Sequence, residues 1–508
     1  MLKLIREHRG FFLCATLAAL ALRLSFFVYF PEITDDSRVY ADLATNWLQH
    51  GIYGQTVTVN GQPGTKVMPA DTRLPGYPAF LAAIFWLFGP GNLKAVLLTQ
   101  ILVDLATCLI VADLTRRAVS DRAARIAFVA AALCPFLANY TAAELTETLS
   151  IFFTALALDC AVAALNRMYP AGTGICAETG VPSAVSGQAL GHSSGQSSGQ
   201  SSGQSSRQLW AASGAAIAAC IMLRPDGGLL LSAVGIYLGM LAAKHLFAKN
   251  NAWKKNLADV LVAGVIVAAL ALAPLVPWTI RNFRTFHRFQ PLAPRYANDA
   301  DELIPRGFIR WVKTWMIDYA SVEEIYWSVP DGKIDTAKLP SRAIDDSNPA
   351  EKAATLAVIA DFNDLQDITP ELDARFGKIA AERVRAHPVR YYFLLPVLRV
   401  ADMWLRPRTE ILPPDVRWWE FNDDPDLSVM AVGFGLLGLA YVGTALLGLA
   451  RRPSGIRWAG LLVTFLLVRS AFLGTMENPE PRYTLECYPV VILCAAAYLA
   501  KRDRAAAI

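Results

Sequence analysis

The sequence predicts an all-α membrane protein with many transmembrane helices. Of its 508 residues, 54% are hydrophobic and only 18% are charged, and the mean hydropathy is +0.34. These values lie outside the range of ordinary soluble domains. The net charge of +4 is small, and the Lys and Arg residues fall in short clusters between apolar runs. We therefore expect a lipid bilayer, and no nucleic acid, as a partner.

Ten apolar segments are long enough to cross about 30 Å of hydrocarbon, if tilt and some short helices are allowed. The first follows Lys3, Arg6 and Arg9 and is predicted to be a signal anchor, because it is long and no small-x-small cleavage site follows it. The ten segments lie near 10–30, 93–113, 123–139, 144–165, 208–223, 226–243, 256–277, 428–450, 457–474 and 485–500.

The orientation of these segments follows from the basic residues in short loops, which stay on the cytoplasmic side. With the N-terminus inside, four basic clusters and the C-terminus become cytoplasmic. The clusters lie at 116–125, 244–255, 451–457 and 501–504. The short apolar segment 75–88 would reverse this order if it crossed, so we expect it to be an interfacial or re-entrant helix on the outer leaflet.

The spans divide the chain into three parts: a transmembrane module at 1–277, an outer region at 278–427 and C-terminal transmembrane helices at 428–508. The first part contains an outer loop, 31–92, in which we expect juxtamembrane helices, and a cytoplasmic loop, 166–208. A tandem Ser-Ser-Gly-Gln repeat at 193–206 cannot bury apolar surface, so we predict that the cytoplasmic loop is a disordered tether.

The outer region 278–427 carries most of the acidic and polar sequence. Its stretches 349–361 and 370–385 have the pattern of amphipathic helices. The stretch 387–405 is apolar enough to be taken for a spanning helix, but it includes Arg390, Arg399 and Asp402. These charges favour an interfacial helix instead.

Two adjacent carboxylates, Asp35 and Asp36, follow the first span at the outer membrane surface. Paired acids repel each other and are partly desolvated there, so one of them can act as a general base near neutral pH. The alternative is structural. Asp36 or Ser37 would then cap the helix that follows, and the second acid would favour the positive end of that helix.

Four arginines on the predicted outer side run against the positive-inside trend. Together they indicate that an anionic headgroup is held there, and a polyprenyl phosphate fits that charge. For Arg224 an internal pair with Asp226 is the structural alternative, and the Trp and Tyr residues beside other members are typical of the interfacial belt. The four are Arg73, Arg224, Arg281 and Arg482.

Glu144 and Glu147 lie at the outer ends of the third and fourth predicted crossings. Carboxylates at that depth are costly unless they have partners, and Glu147 is the deeper of the two. The six histidines show no ligand spacing, so no metal site is assigned.

The order of these motifs resembles that of the bacterial GT-C glycosyltransferases over nearly the whole chain. The nearest pattern is that of the bacterial relatives of protein O-mannosyltransferases, a group that includes lipid A aminoarabinose transferases and lipopolysaccharide galacturonosyltransferases. The motifs are the acid after the first helix, Arg73-Leu-Pro-Gly-Tyr-Pro, Leu145-Thr-Glu-Thr-Leu, Leu223-Arg-Pro, Pro277-Trp-x-x-Arg-Asn and Arg482-Tyr.

The resemblance implies an inverting transfer of a sugar from a polyprenyl phosphate, on the outer face of the bacterial inner membrane. A first-loop acid would be the base. Asp36 matches the family's acid best, and Asp35 is its neighbour, a cation ligand or the base itself. Some relatives use a divalent cation, but no cofactor is assigned here.

The resemblance also implies roles for the other motif residues. Arg224, Arg281 and Arg482, with Arg73 on the same surface, would hold the donor or neutralise the leaving phosphate. Tyr483 would line the same pocket, and Glu147 matches a family acid near the active cavity.

The acceptor stays open between lipid A, another glycan, a glycolipid and a protein. Because loops on a rigid scaffold usually carry specificity, we expect the region 278–427 to shape that choice. A transporter or flippase of lipid-linked sugars is the alternative function, since it also needs a cationic cavity. A purely structural protein would leave the outward arginines unexplained.

Overall fold

The computed structural model describes residues 1–59, 62–170, 198–248, 253–296, 303–329, 332–345, 347–421, 424–451 and 455–505. The predicted fold class is confirmed, since the chain is predominantly helical. Within these residues, seven helices are long and apolar enough to cross a membrane, and an eighth span results if one bent helix pair is counted. All ten predicted segments lie on helices, but the helices of two of them, 208–223 and 457–474, are not among these spans.

The chain forms two compact units. The first comprises Met1–Arg295, Tyr441–Val468 and Leu485–Ile508, and the second comprises Tyr296–Ala440 and Arg469–Thr484. The second unit therefore extends beyond the region 278–427, because residues 469–484 pack with it.

The first unit begins with two helices and an outer segment. In chain order its elements up to residue 295 are α1 (Leu2–Glu7), α2 (Arg9–Tyr29), α3 (Asp35–His50), β1 (Gly54–Val59), β2 (Gln62–Pro69), α4 (Gly76–Phe88), α5 (Leu93–Ala118), α6 (Asp121–Ala132), α7 (Pro135–Ala138), α8 (Glu147–Met168), α9 (Ser198–Leu223), α10 (Gly228–Ala248), α11 (Trp253–Leu272) and α12 (Leu275–Phe286). α8 lies between α5 and α9 and is largely buried.

The remaining helices continue in chain order. They are α13 (Arg306–Lys313), α14 (Tyr319–Ser321), α15 (Pro349–Leu365), α16 (Pro370–Ala386), α17 (Leu395–Leu405), α18 (Pro425–Arg451), α19 (Ala459–Leu473) and α20 (Tyr488–Ala505). α15 and α16 confirm the two amphipathic helices predicted in the outer region. They pack with α13 around Trp311, Trp315 and Phe376, which are completely buried.

Two features differ from the prediction. The outer loop 31–92 contains, besides helices, an antiparallel hairpin of β1 and β2, because the stretch from Thr56 to Val59 is β-branched and favours an extended backbone. The predicted cytoplasmic tether 166–208 is helical at both ends, where α8 continues to Met168 and α9 begins at Ser198. Residues 171–197 of that loop lie outside the described residues.

One buried ion pair holds the first transmembrane helices together. Nε of Arg23 on α2 donates to Asp104 on α5 at 2.6 Å, and both side chains are at most 1% exposed. Arg23 also donates to the carbonyl of Ala132 at 2.7 Å. That carbonyl is free to accept because the helix axis bends by 52° between α6 and α7, at Pro135.

Candidate functional site

The two adjacent acids take opposite positions at the start of α3. Thr34, and not Asp36 or Ser37, is the N-cap. Its hydroxyl accepts a hydrogen bond from the backbone N–H of Ser37 at 3.2 Å, and the Ser37 hydroxyl accepts one from the backbone N–H of Thr34 at 3.1 Å. This capping box satisfies the helix start without a carboxylate. Asp36 is therefore not the N-cap, whereas both acids do lie in the first turn of α3, where the positive end of the helix favours them. The side chain of Asp35 is 97% exposed and pairs with Arg38 on the surface.

Asp36 faces the protein. Its Oδ1 accepts from Nη2 of Arg73 at 2.8 Å, and its side chain is 33% exposed. The guanidinium of Arg73 also lies 6.0 Å from the ring centre of Tyr40, one helical turn after Asp36. The carboxylate thus stands at the edge of the protein, between a cation and solvent.

The charges around Tyr40 are strongly coupled. Burial lowers the pKa of Arg73, but its interactions with Asp36 and Tyr40 together more than offset this effect, so that the pKa is raised. Burial and the charge of Asp36 raise the pKa of Tyr40 to about 12. The Tyr40 phenol therefore stays protonated at physiological pH, and can serve as a hydrogen-bond donor.

A polar chain leads inward from Tyr40. Its ring packs edge-on against Tyr77 at 5.1 Å, and the Tyr77 hydroxyl donates to Oε1 of Gln100 at 2.8 Å. Gln100 in turn donates to the carbonyl of Ala143 at 2.7 Å. This chain ties α3 and α4 to the buried segment that precedes α8.

A second acid–cation pair follows that segment. Glu147 opens α8 and accepts from Nη1 of Arg224 at 3.0 Å, while Nε of Arg224 donates to Asp226 at 3.1 Å. The side chain of Glu147 is 5% exposed and that of Arg224 is 20% exposed. The charges of Glu147 and Arg224 affect the pKa of the Tyr40 phenol, as do those of Asp36 and Arg73. The two pairs therefore belong to one site. The internal pair of Arg224 with Asp226 is present as well.

Gly76 brings the two pairs together. A Cβ atom at this position would lie 2.4 Å from the carbonyl oxygen of Met222, which is closer than real Cβ contacts come. Only glycine lets the turn after Arg73 lie directly against the end of α9, two residues before Arg224.

Glu144 lies beside this site with an unusual environment. It is 5% exposed, and its Oε1 is buried without a hydrogen-bond partner among the described residues. Burial raises the pKa of Glu144 to about 7. Its charge also contributes to the raised pKa of Tyr77, which shows that it lies near the polar chain.

The predicted phosphate ligand Arg281 is used structurally. Its Nη2 donates to the carbonyl of Tyr53 at 2.6 Å and its Nη1 to the carbonyl of Ala70 at 2.7 Å. The guanidinium also packs against the rings of Tyr53 and Trp278 at 5.5 and 5.1 Å. Arg281 thus anchors both ends of the hairpin to α12, and its Nη1 also donates to Oδ1 of Asn282 at 2.9 Å. Its role as a phosphate ligand stays a prediction.

Arg482 and Tyr483 belong to the second unit. Nε of Arg482 lies 2.5 Å from Oε2 of Glu480, and the Tyr483 hydroxyl donates to Oε1 of the same carboxylate. Asn478 donates to that hydroxyl at 3.2 Å. These contacts form a compact acid–cation cluster of the second unit.

The chain offers no metal cluster in its described ranges: no three His, Cys, Asp or Glu side chains there are grouped to hold an ion.

Three members of the site were missed as site residues by the sequence analysis, namely Tyr40, Gln100 and Glu144. Two signals pointed to them. Tyr40 stands four residues after Asp36, which places both on one helix face, and Gln100 is a polar residue within an apolar span.

Residues 70–177 match the model of the family described as dolichyl-phosphate-mannose-protein mannosyltransferase. This segment contains Arg73, Gly76, Glu144 and Glu147, and its match confirms the resemblance to GT-C glycosyltransferases. The match covers less than half of the chain. No curated protein sequence matches the chain.

Solved structures with similar folds include two groups. The oligosaccharyltransferase of Archaeoglobus fulgidus, tethered to an acceptor peptide, is 12% identical with a TM-score of 0.49, and the match covers 98% of this chain and 50% of that one. ArnT from Cupriavidus metallidurans, bound to undecaprenyl phosphate, is 14% identical with a TM-score of 0.37, and the match covers 98% and 79%. The chain spans about half the length of the archaeal enzyme.

Proposed function

We propose that this protein transfers a sugar from a polyprenyl phosphate to an acceptor on the outer face of the membrane, with inversion at the anomeric carbon. The family matched over residues 70–177 is described by a polyprenyl-phosphate sugar, dolichyl phosphate mannose. The observation that carries the proposal is the inward-facing carboxylate of Asp36, held by Arg73 beside a second pair, Glu147 and Arg224.

Asp36 is the proposed general base. It is 33% exposed, so an acceptor hydroxyl or amine can approach it, and its bond to Arg73 orients the carboxylate. Asp36 takes the proton as the acceptor oxygen or nitrogen bonds to the anomeric carbon. The bond from that carbon to the phosphate oxygen breaks, and the electron pair leaves with the polyprenyl phosphate.

Arg73 and Arg224 are the proposed partners of the leaving phosphate. The charges of both guanidiniums lower the pKa of the same phenol, that of Tyr40, so both guanidiniums lie near one point of the site. Charge that develops on the phosphate oxygens is stabilised by fixed cations in a water-poor setting, where such interactions are strong. Arg281 bonds to both ends of the hairpin, and Arg482 and Tyr483 stay predicted donor ligands.

The test compares the two adjacent acids in purified protein. A panel of polyprenyl phosphates that carry radiolabelled sugars is incubated with wild type, Asp36→Asn and Asp35→Asn, in detergent with a crude envelope acceptor. We expect Asp36→Asn to lower turnover by about 10²–10⁴-fold, the usual contribution of a general base, with donor binding retained. Asp35→Asn is the matched control, since Asp35 faces solvent, and should keep its turnover.

Full activity of Asp36→Asn would show that Asp36 is not the general base. Donor binding by wild type without turnover on any acceptor would instead favour a transporter or flippase of lipid-linked sugars. This test leaves the acceptor open between lipid A, another glycan, a glycolipid and a protein.

A further inference from the structure

The second unit contains a groove of about 760 Å³ between α17, α18 and the turn after α14. Its long wall is apolar, and four leucines carry most of it: Leu398 and Leu405 on α17, and Leu436 and Leu439 on α18. One end is closed by Pro407, which comes so near to Gly435 that a Cβ there would lie 3.1 Å from the proline ring.

The apolar wall is suited to contact with lipid. α18 is one of the helices long and apolar enough to span a membrane, yet Leu436 is 63% exposed and Leu439 is 46% exposed. In a bilayer such side chains contact hydrocarbon. Water is not favoured in an apolar groove that opens sideways to this hydrocarbon. A hydrocarbon chain is therefore the natural occupant of this wall.

The other end of the groove is polar but nearly neutral. Its cations each lie within 4.0 Å of a carboxylate of the same groove: Arg342 with Asp318, Arg417 and Lys338 with Glu324, and Arg406 with Asp402. Four cations thus face three carboxylates, which leaves at most one charge in excess. A head group without charge therefore matches this end of the groove.

Two tryptophans complete the polar end. Trp419 is 45% exposed, and Arg406 lies 5.3 Å from its ring centre. Trp418 lines the groove, and its indole N–H is buried without an acceptor among the described residues. An exposed aromatic face suits a ligand with a C–H face, as a sugar ring has.

We propose that this groove binds the acceptor of the transfer, a glycolipid with an uncharged sugar head. Its hydrocarbon chain lies along α17 and α18, and its sugar lies against Trp418 and Trp419. This inference rests on the proposed transferase function, and it selects a lipid from the acceptors considered above.

The test uses photolabelling of the full chain in lipid nanodiscs. The probe is a monoglucosyl diacylglycerol with a diazirine at the end of one acyl chain. Phosphatidylglycerol with the same acyl chain is the comparison. After irradiation and proteolysis, we expect the glucosyl probe to label the α17 and α18 peptides, and unlabelled glucosyl lipid to displace it at concentrations where phosphatidylglycerol does not.

Matched variants locate the ligand. Leu436→Trp fills the groove and should reduce labelling by about fivefold or more, the effect of roughly 1 kcal/mol of binding free energy. Leu437→Trp, on the same helix but outside the groove lining, should leave labelling unchanged. Trp419→Ala should weaken labelling by the glucosyl probe and not by phosphatidylglycerol, since it removes a contact with the head alone.

Equal labelling by both lipids, or undiminished labelling of Leu436→Trp, would overturn the inference. Its failure can be told from failure of the transferase. Selective labelling without turnover of any polyprenyl-phosphate sugar would support the lipid site and contradict the proposed transferase function. Transfer to a peptide or a soluble glycan, with Leu436→Trp fully active, would contradict the lipid acceptor and support the transferase function.

Discussion

Oδ1 of Asp36 and Nη2 of Arg73 lie 2.8 Å apart, although an entire β-hairpin separates the two residues in the chain. The neighbouring acid, Asp35, instead pairs with Arg38 in full solvent. One residue along the helix thus separates a carboxylate that faces the site from one that faces water. Asp35 and Arg38 therefore provide nearby controls for substitutions of Asp36 and Arg73.

Replacing Arg73 should impair turnover without unfolding the protein. We expect Arg73→Gln to lower turnover by about 10–100-fold, the effect of losing one charge-assisted hydrogen bond of about 1.5–3 kcal/mol. Arg73→Lys should recover part of the loss, because it restores the charge but not the planar fork. Arg38→Gln removes the equivalent solvent-exposed partner, and a similar loss in that variant would show that the effect is not specific to Asp36.

Gly76→Ala should damage the site through packing. The new methyl group would meet the carbonyl of Met222 at 2.4 Å, so the turn that carries Arg73 must move away from the end of α9. Overpacking of this kind costs about 1–3 kcal/mol, and we expect both a lower melting temperature and lower turnover. Gly235→Ala on α10 has open space around it. Equal effects of the two substitutions would contradict this explanation.

Glu144 should make stability depend on pH. Its folded pKa of about 7 lies above the ordinary value of 4.5. The folded state therefore keeps its full stability below pH 4.5 and loses it as the pH rises toward 7, where the unfolded chain releases the proton more readily. Glu144→Gln should raise the melting temperature by about 2–4 °C at pH 8 and leave it unchanged at pH 4. A gain of equal size at both pH values would refute the assignment.

The pair of Arg23 and Asp104 should be essential to the first unit. Asp104→Ala leaves a buried guanidinium without its carboxylate, at a cost of about 3–5 kcal/mol. The double variant Arg23→Met/Asp104→Leu should restore most of the stability, since it removes both charges and keeps the volume. Thermal unfolding in detergent measures both. A double variant no better than the single one would show that the carbonyl bonds of Arg23, and not the ion pair, carry the stability.

The sequence predicted the residues of the candidate site but not the role of each. The order of motifs placed Asp36, Arg73, Glu147 and Arg224 on one surface, and the structure joins them through Tyr40. Arg281 has the same motif-level support, yet its donors bond to the carbonyls of Tyr53 and Ala70. A motif records which residue stands at a position, whereas the acceptors that its side chain meets come from distant parts of the chain.

The sequence by itself determined the membrane class, the positions of the helices and the approximate place of the acids, because hydropathy and charge act locally along the chain. Tertiary structure decided which of Asp35 and Asp36 faces the site, that Thr34 caps α3, and that a β-hairpin lies in the outer loop. It also decided that the helices of the second unit enclose a groove. These features depend on side chains far apart in sequence, since burial and pairing are properties of the folded chain and not of any segment read alone.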